Sequence, residues 1–160
     1  MTIQIGNPLP NVTLKQITLN GFQDVNTETL FKGKTIALFA IPGAFTPTCT
    51  NIHLPGFVKS MEEFKAKGVD VMCLGVNDPF VMAAWGKYTN SHPDIGLLAD
   101  WNAEFTKAVG LDFDGSGAGL GVRSKRYSML VKDGVVVQLN VEESPSACEL
   151  SSAETLLKAI

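Results

Sequence analysis

IALFAIPGAFTPTCT, residues 36–50, is the stretch that decides the predicted fold. Its first part, Ile36–Ile41, is apolar without alternation, which is typical of a strand buried on both faces of a sheet. The apolar run ends at Pro42-Gly43, and Cys49 follows a short loop at the point where the next helix is predicted to begin. We therefore expect a thiol beyond the end of a central strand, at a helix N-terminus.

Cys49 has the sequence surroundings of a reactive thiol. The N–H groups and the dipole of a helix N-terminus favour negative charge, so a cysteine there is pushed toward the thiolate. Thr46 precedes Cys49 by three residues, which is the spacing of a redox C-x-x-C motif with a hydroxyl in place of the first sulfur. Thr46 is expected to donate a hydrogen bond toward Cys49 but cannot form a disulfide with it. The pattern favours the chemistry of a single thiol.

The composition excludes several classes of function. A length of 160 residues with 45% hydrophobic content suits a single domain over residues 1–160. The net charge of −3 argues against a partner that is nucleic acid or an anionic membrane, and no apolar stretch is long enough to span a bilayer. MTIQIGNPLP at the N-terminus lacks the pattern of a signal peptide, and the 3 cysteines do not resemble a secreted disulfide framework. A reducing, cytoplasmic location is expected.

Turn signals define the predicted sheet. Asn20-Gly21 and Asp133-Gly134 each separate two strand-like runs and predict a hairpin near either end of the chain. Val69–Val76 and Ile95–Ala99 predict further buried strands between them. Because strands and helices alternate in the middle, the sequence predicts an α/β fold, with a central mixed β-sheet flanked by helices and an N-terminal hairpin.

Three predicted helices carry local signals for their start or for a break. A helix after Cys49 is predicted by apolar residues at helical spacing, which are Ile52, Phe57, Val58, Met61 and Phe64. Pro55-Gly56 is expected to cause a kink or a shift in hydrogen bonding within this helix. Asp78-Pro79 predicts the start of a helix that runs to about Tyr88. Ser151 or Ser152 is expected to cap the last helix, with Glu154 completing a capping box.

Four motifs, in this order along the chain, resemble the type II or atypical peroxiredoxins. They are PGAFTPTC at 42–49, HLPGF at 53–57, VNDPFVM at 76–82 and RYSM at 126–129. The resemblance extends over nearly the whole chain. It implies a thioredoxin-like fold and a thiol peroxidase that acts on hydrogen peroxide and alkyl hydroperoxides.

The resemblance also implies an active site made of Pro42, Thr46, Cys49 and Arg126. The Cys49 thiolate would attack the peroxide O–O bond, become a sulfenic acid and release water or an alcohol. Thr46, the Cys49 N–H and Arg126 would donate hydrogen bonds to the reacting atoms, and the charge of Arg126 would hold the thiolate. Pro42 would shield Cys49 from water and over-oxidation. No cofactor is expected.

The sequence leaves open how the sulfenic acid is reduced. Cys73, in the middle of a strand and expected to be buried, matches a cysteine proposed as resolving partner in plant-like members of the family. Cys148, in a loop before the last helix and expected to be more exposed, lies near the resolving cysteine of animal members, although its distance from the C-terminus differs. Because neither match is complete, we expect reduction by an outside thiol, glutathione or glutaredoxin, with thioredoxin as the second choice.

Other interpretations of single features are less specific. His53 is expected to pack near the site rather than bind a metal, since further ligands are missing. Asp112–Gly121 is expected to be a flexible loop, because its glycines fit neither a nucleotide-binding nor a calcium-binding motif. Phe80 and Trp85 are expected to be partly exposed, and exposed aromatic residues often mark interfaces. Because members of the family that the chain resembles dimerise through surfaces near the active-site loop, a homodimer is expected.

Two alternative functions use the same thiol. A thiol–disulfide oxidoreductase would share the fold, but the absence of a C-x-x-C motif argues against it. A redox sensor without turnover would consume peroxide once per Cys49 and then stop, even when thiol is present.

Overall fold

The computed structural model describes residues 1–160 and is built on a central sheet of seven strands. These strands are β1 Thr13–Thr18, β2 Gly21–Asn26, β3 Thr35–Ile41, β4 Asp70–Gly75, β5 Gly96–Ala99, β8 Tyr127–Lys132 and β9 Val135–Val141. Their order is β2-β1-β5-β4-β3-β8-β9, in which β3, β4 and β5 are parallel and the other pairings are antiparallel. The predicted mixed sheet, both hairpins and the buried strands are confirmed.

Helices pack on both faces of this sheet. They are α1 Thr27–Phe31, a π-helical turn at Cys49–His53, α2 Leu54–Lys59, α3 Met61–Ala66, α4 Pro79–Tyr88, α5 Glu104–Ala108 and α6 Ala153–Leu157. Side chains of α2, α3, α4 and α6 enter one buried apolar cluster, and those of α1 and α5 enter the other. None of these helices combines the length and the apolar character needed to cross a membrane.

Strand β3 shows why an apolar run without alternation forms the centre of the sheet. Ala37, Phe39 and Ile41 belong to one apolar cluster, whereas Ile36, Leu38 and Ala40 belong to the other. All six side chains are fully buried because successive residues of a strand point to opposite faces. The strand therefore anchors both halves of the core, and the loop that leaves it is held at a fixed point.

The helix after Cys49 has the predicted irregularity at Pro55. The Leu54 N–H donates to the Cys49 carbonyl, five residues earlier, which defines the π-helical turn. Proline has no N–H and clashes with the carbonyl four residues before it, so a widened turn accommodates Pro55. The expectation of a single apolar face was wrong in part: the helix breaks at Ser60, and Ile52 is 57% exposed.

Two further expectations are corrected by tertiary contacts. Asp112–Gly121 is not simply a loop, because β6 Asp112–Asp114 pairs with β7 Val122–Ser124 around a 3₁₀ turn at Ser116–Ala118. Trp85 is fully buried and donates from Nε1 to Thr50 Oγ1 at 3.0 Å, whereas Phe80 is exposed as expected.

The cap of α6 is one of the two predicted serines, but the predicted capping box is absent. Ser152 Oγ accepts from the Thr155 N–H at 3.2 Å, so Ser152 is the cap. Glu154 is one position too early for a capping box, and its carboxylate instead lies 3.8 Å from Lys158 Nζ.

Candidate active site

Cys49 lies beyond the carboxyl end of β3, in the first turn of a helix that starts at Pro47. Cys49 is fully buried, and the loop 42–46 connects the strand to this helix. The first N–H groups of a helix have no partner within the helix, so this position favours a negatively charged atom. The predicted order of strand, loop, thiol and helix is confirmed.

Arg126 reaches Cys49 from a distant part of the sequence. Strand β8 pairs antiparallel with β3, and Tyr127 lies opposite Ala40, so the residue just before β8 is brought to the carboxyl end of β3. Arg126 is 1% exposed, and its Nη2 donates to Cys49 Sγ over 3.1 Å. The two residues that the sequence resemblance placed in one site are therefore in direct contact.

The environment of Arg126 contains no carboxylate partner. The ion pairs of the structure join Lys15 to Asp24 and Lys158 to Glu154. The other acceptors of Arg126 are neutral: the Pro145 carbonyl, at 3.2 Å from Nε and 2.9 Å from Nη2, and His53 Nδ1, at 3.0 Å from Nη1. A buried charge is unfavourable without a counter-charge. Cys49 is the one group bonded to this guanidinium that can become an anion.

His53 is held in one neutral tautomer by its two partners. Nδ1 accepts from Arg126, so the ring proton is on Nε2, which lies 3.0 Å from the Ser151 carbonyl and donates to it. Burial, followed by the nearby Arg126 charge, lowers the pKa of His53 from 6.5 to about 3. His53 therefore packs near the site, as predicted, but it also makes a contact with Arg126 that helical spacing alone could not indicate.

Thr46 makes a different hydrogen bond from the predicted one. Its hydroxyl donates to the Gly43 carbonyl at 2.7 Å instead of donating toward Cys49. Since a hydroxyl has one proton, the Thr46 oxygen is left with lone pairs that can accept a hydrogen bond. The correction follows from the loop: Thr46 and Gly43 are close in a turn whose shape the sequence spacing does not specify.

A cavity of about 300 Å³ adjoins this loop. Three of the four predicted site residues, Pro42, Thr46 and Arg126, line it, together with Pro47, Thr48, Leu120, Pro145 and Ser146. Cys49 lies beneath the cavity and contacts its wall through Arg126. The cavity is thus lined by a fixed cation and by a hydroxyl oxygen that can accept, and the buried thiol is bonded to that cation.

Similar proteins of known sequence and structure show which family the chain belongs to. A family model described as redoxin matches residues 4–157. Peroxiredoxin-2B of Arabidopsis thaliana is 43% identical over 99% of this chain and 98% of that protein, and the chloroplastic peroxiredoxin-2E of the same plant is 46% identical over 99% of this chain and 70% of that protein. The chain belongs to the type II peroxiredoxins. It is a thiol-dependent peroxidase with the thioredoxin-like fold of that family.

A solved peroxiredoxin structure has nearly the same fold. It is the crystal structure of reduced Prx3 from Vibrio vulnificus in complex with H₂O₂, which is 49% identical, covers 99% of both chains and has a TM-score of 0.93. The sheet and helices of this peroxiredoxin thus match those of an experimentally determined relative over their whole length.

The other two cysteines of this peroxiredoxin differ in accessibility. All three thiols are free. Cys73 is fully buried in β4, and this burial raises its pKa well above the ordinary value. Cys148 is half-buried in the irregular segment before α6, and its pKa is also raised, mainly by burial. Both expectations about exposure are confirmed, and neither thiol ionises readily in this state.

Two residues that hold the loop 42–46 were not among the predicted site residues. Half-buried Arg123 donates from Nη1 to the Pro42 carbonyl at 3.2 Å, and Asn77 Oδ1 accepts from the Ala44 N–H at 2.9 Å. Asn77 belongs to the motif VNDPFVM, so the sequence did contain a signal for it. Arg123 had no such signal, because it lies in the three-residue strand β7, which the sequence did not predict.

Proposed function

We propose that Cys49 is the nucleophile of this peroxidase and that Pro42, Thr46 and Arg126 assist it. The observation that carries the proposal is the 3.1 Å contact between Arg126 Nη2 and Cys49 Sγ, made by a buried guanidinium without a carboxylate partner. A fixed cation at that distance favours the thiolate, which is the reactive form of cysteine.

In the proposed reaction, the thiolate attacks one peroxide oxygen. The S–O bond forms as the O–O bond breaks, and the leaving oxygen takes the electron pair and a proton to become water or an alcohol. Negative charge moves from sulfur to the leaving oxygen, and Arg126, which lines the cavity and contacts the sulfur, can stabilise both positions. The Thr46 oxygen accepts the peroxide O–H and so orients the bond for attack.

Hydrogen peroxide and alkyl hydroperoxides are the proposed substrates. The similar Vibrio vulnificus protein is described in complex with H₂O₂, which supports the smaller of them. One water molecule takes up about 30 Å³ of liquid. The cavity of about 300 Å³ therefore has room for a peroxide that carries an alkyl chain.

An outside thiol is the proposed reductant of the sulfenic acid, with glutathione or glutaredoxin favoured over thioredoxin. Burial of Cys73 in the core argues against a disulfide between it and Cys49, because forming that bond requires access between the two sulfurs. Cys148 is closer to the surface, but the direction of its pKa shift makes it a slow nucleophile in this state.

A homodimer is the proposed assembly. Phe45, in the loop 42–46 that leads to Cys49, is 49% exposed, and Tyr88 is 73% exposed; their ring centroids lie 5.5 Å apart. Exposed aromatic pairs of this kind are enriched at protein interfaces. We assign the contact to these two residues and not to Trp85, which is buried.

The test is the intact mass of the protein after one equivalent of hydrogen peroxide, without added thiol and with Cys49→Ser as the control. We expect a gain of one oxygen that the control lacks, followed by repeated turnover once glutathione and glutaredoxin are added. Loss of two hydrogens would instead indicate an internal disulfide with Cys73 or Cys148. An unchanged mass would remove Cys49 from the reaction.

A further inference from the structure

The segment 142–151 covers Arg126 although it has almost no regular structure. It connects the end of β9 at Val141 to the cap of α6, and it contains neither strand nor helix. Within it, the one backbone hydrogen bond is from the Ala147 N–H to the Ser144 carbonyl, at 3.2 Å. Side-chain hydrogen bonds must therefore hold this segment in place.

The carboxylate of Glu142 supplies most of that restraint, beside the Thr155 hydroxyl, which donates to the Glu149 carbonyl at 2.8 Å. Glu142 is 6% exposed, and no basic side chain pairs with it. Its Oε2 accepts three hydrogen bonds: from the Glu149 N–H at 3.0 Å, the Ser151 N–H at 2.6 Å and the Ser151 hydroxyl at 2.6 Å. The first residue of the segment is thus bonded to two residues near its end, which closes the segment into a loop.

This loop presents two carbonyl groups that orient Arg126. The Pro145 carbonyl accepts from Nε and Nη2 of the guanidinium. The Ser151 carbonyl accepts from His53, which itself accepts from Arg126 Nη1. Apart from the bond to Cys49 Sγ, every side-chain hydrogen bond of Arg126 ends on the loop, directly or through His53.

We propose that Glu142 is a positioning residue for the peroxidase reaction. It touches neither the thiol nor the cavity that adjoins it, but it fixes the two carbonyl groups that hold the Arg126 guanidinium against Cys49 Sγ. Hydrogen bonds to a carboxylate are about twice as strong as those to a neutral acceptor, so removing the charge loosens the loop. This inference rests on the roles proposed above for Cys49 and Arg126.

The test uses Glu142→Gln, which keeps the shape of the side chain but weakens its bonds, and Ser151→Ala, which removes one of the three donors. Glu143→Gln is the matched control, because Glu143 is the neighbouring carboxylate and is exposed. Two quantities are measured in folded protein: the rate constant for oxidation of Cys49 by hydrogen peroxide, and the midpoint pH for alkylation of Cys49 by iodoacetamide, read from the Cys49 peptide.

We expect the oxidation rate of Glu142→Gln to fall about tenfold or more, since small displacements of catalytic groups cost up to about 100-fold. The alkylation midpoint should move to higher pH, because a displaced Arg126 stabilises the thiolate less. Ser151→Ala should change both quantities in the same direction by less, and Glu143→Gln should change neither.

Two outcomes would overturn the inference. One is an oxidation rate within threefold of the original for Glu142→Gln, and the other is a slower oxidation with an unchanged alkylation midpoint, which indicates a structural role alone. Arg126→Lys, measured in parallel, separates this from the proposed function. If that variant loses activity while Glu142→Gln does not, only the role of Glu142 fails; if Arg126→Lys is fully active, the proposed site fails.

Discussion

At the scale of single residues, the site depends on a permanent charge that the fold has buried. Arg126 cannot lose its proton at any ordinary pH, so the groups around it must adapt. His53 does so by remaining neutral and accepting a hydrogen bond, and Cys49 does so by offering a sulfur that can become an anion. The proposed chemistry of the thiol thus depends on its neighbour as much as on its own position at a helix N-terminus.

Thr46→Val should reduce peroxidase activity on the order of 10²-fold, as the loss of one well-placed polar group does in comparable sites. The substitution keeps the shape of the side chain but removes both the bond to the Gly43 carbonyl and the acceptor for the peroxide O–H. Steady-state rates with hydrogen peroxide and an excess of thiol would show this. Thr46→Ser, which retains the hydroxyl, should stay within threefold of the original. A fully active Thr46→Val would remove Thr46 from the mechanism.

His53 should make the folded protein sensitive to acid. Its folded pKa of about 3 lies below its ordinary value of 6.5, so between these values the unfolded chain binds a proton that the folded protein excludes. Stability from His53 is therefore complete above pH 6.5 and falls with acidification, by at most about 1.4 kcal/mol per pH unit.

Urea unfolding of the original protein and of His53→Gln between pH 7 and pH 4 measures this effect. We expect a smaller loss of stability on acidification in His53→Gln than in the original protein. His92→Gln, at the second of the 2 histidines, is the control. Equal slopes for the original protein and His53→Gln would show that His53 is not kept neutral by its surroundings.

At the scale of elements, the loop 42–46 is held by its neighbours. The amide of Asn77 bonds to Ala44 and the guanidinium of Arg123 bonds to Pro42, on either side of Gly43. A Cβ on Gly43 would lie 2.6 Å from Arg123 Nη1. Gly43→Ala should therefore displace Arg123 from the Pro42 carbonyl. The fold should survive, because the end of an arginine side chain can move away.

We expect Gly43→Ala to lower the peroxide oxidation rate about tenfold, by displacing Pro42 and Thr46 from their positions on the cavity wall. Arg123→Ala should lower it by a similar factor, since it removes the same bond. The double variant should then be no slower than either single one, because the effects of residues in contact are not additive. Additive losses in this double-mutant cycle would show that the two residues act independently.

The elements also show where sequence patterns are reliable. Asn20-Gly21, Asp133-Gly134 and Asp78-Pro79 act within a few residues, and each produced the predicted hairpin or cap. Pro55 likewise disturbed its own helix, as its missing N–H requires. The hairpin around Ser116 was missed because its strands have only three residues each, too few for a period to be seen.

At the scale of the whole molecule, the site collects residues that lie far apart in the chain. Cys49 follows β3, Arg126 precedes β8, and the carbonyl of Pro145 comes from the segment after β9. Motif resemblance identified Cys49 and Arg126, but the contacts of Pro145, Ser151 and Glu142 depend on how strands 3, 8 and 9 are arranged side by side. Such contacts follow from sheet order, which local patterns in a sequence do not determine.

The proposed homodimer can be tested by placing a charge in its predicted interface. Tyr88→Glu should convert a dimer to a monomer at micromolar concentrations, because it places a charge in the aromatic pair that Tyr88 forms with Phe45. Light scattering coupled to gel filtration measures the mass directly. Phe80→Glu is the matched control: Phe80 is 71% exposed, lies on the same helix and packs against Phe22 with 5.2 Å between ring centroids. If Phe80→Glu dissociates the dimer and Tyr88→Glu does not, the two copies meet through the aromatic residues of the N-terminal hairpin, and the active-site loop stays free.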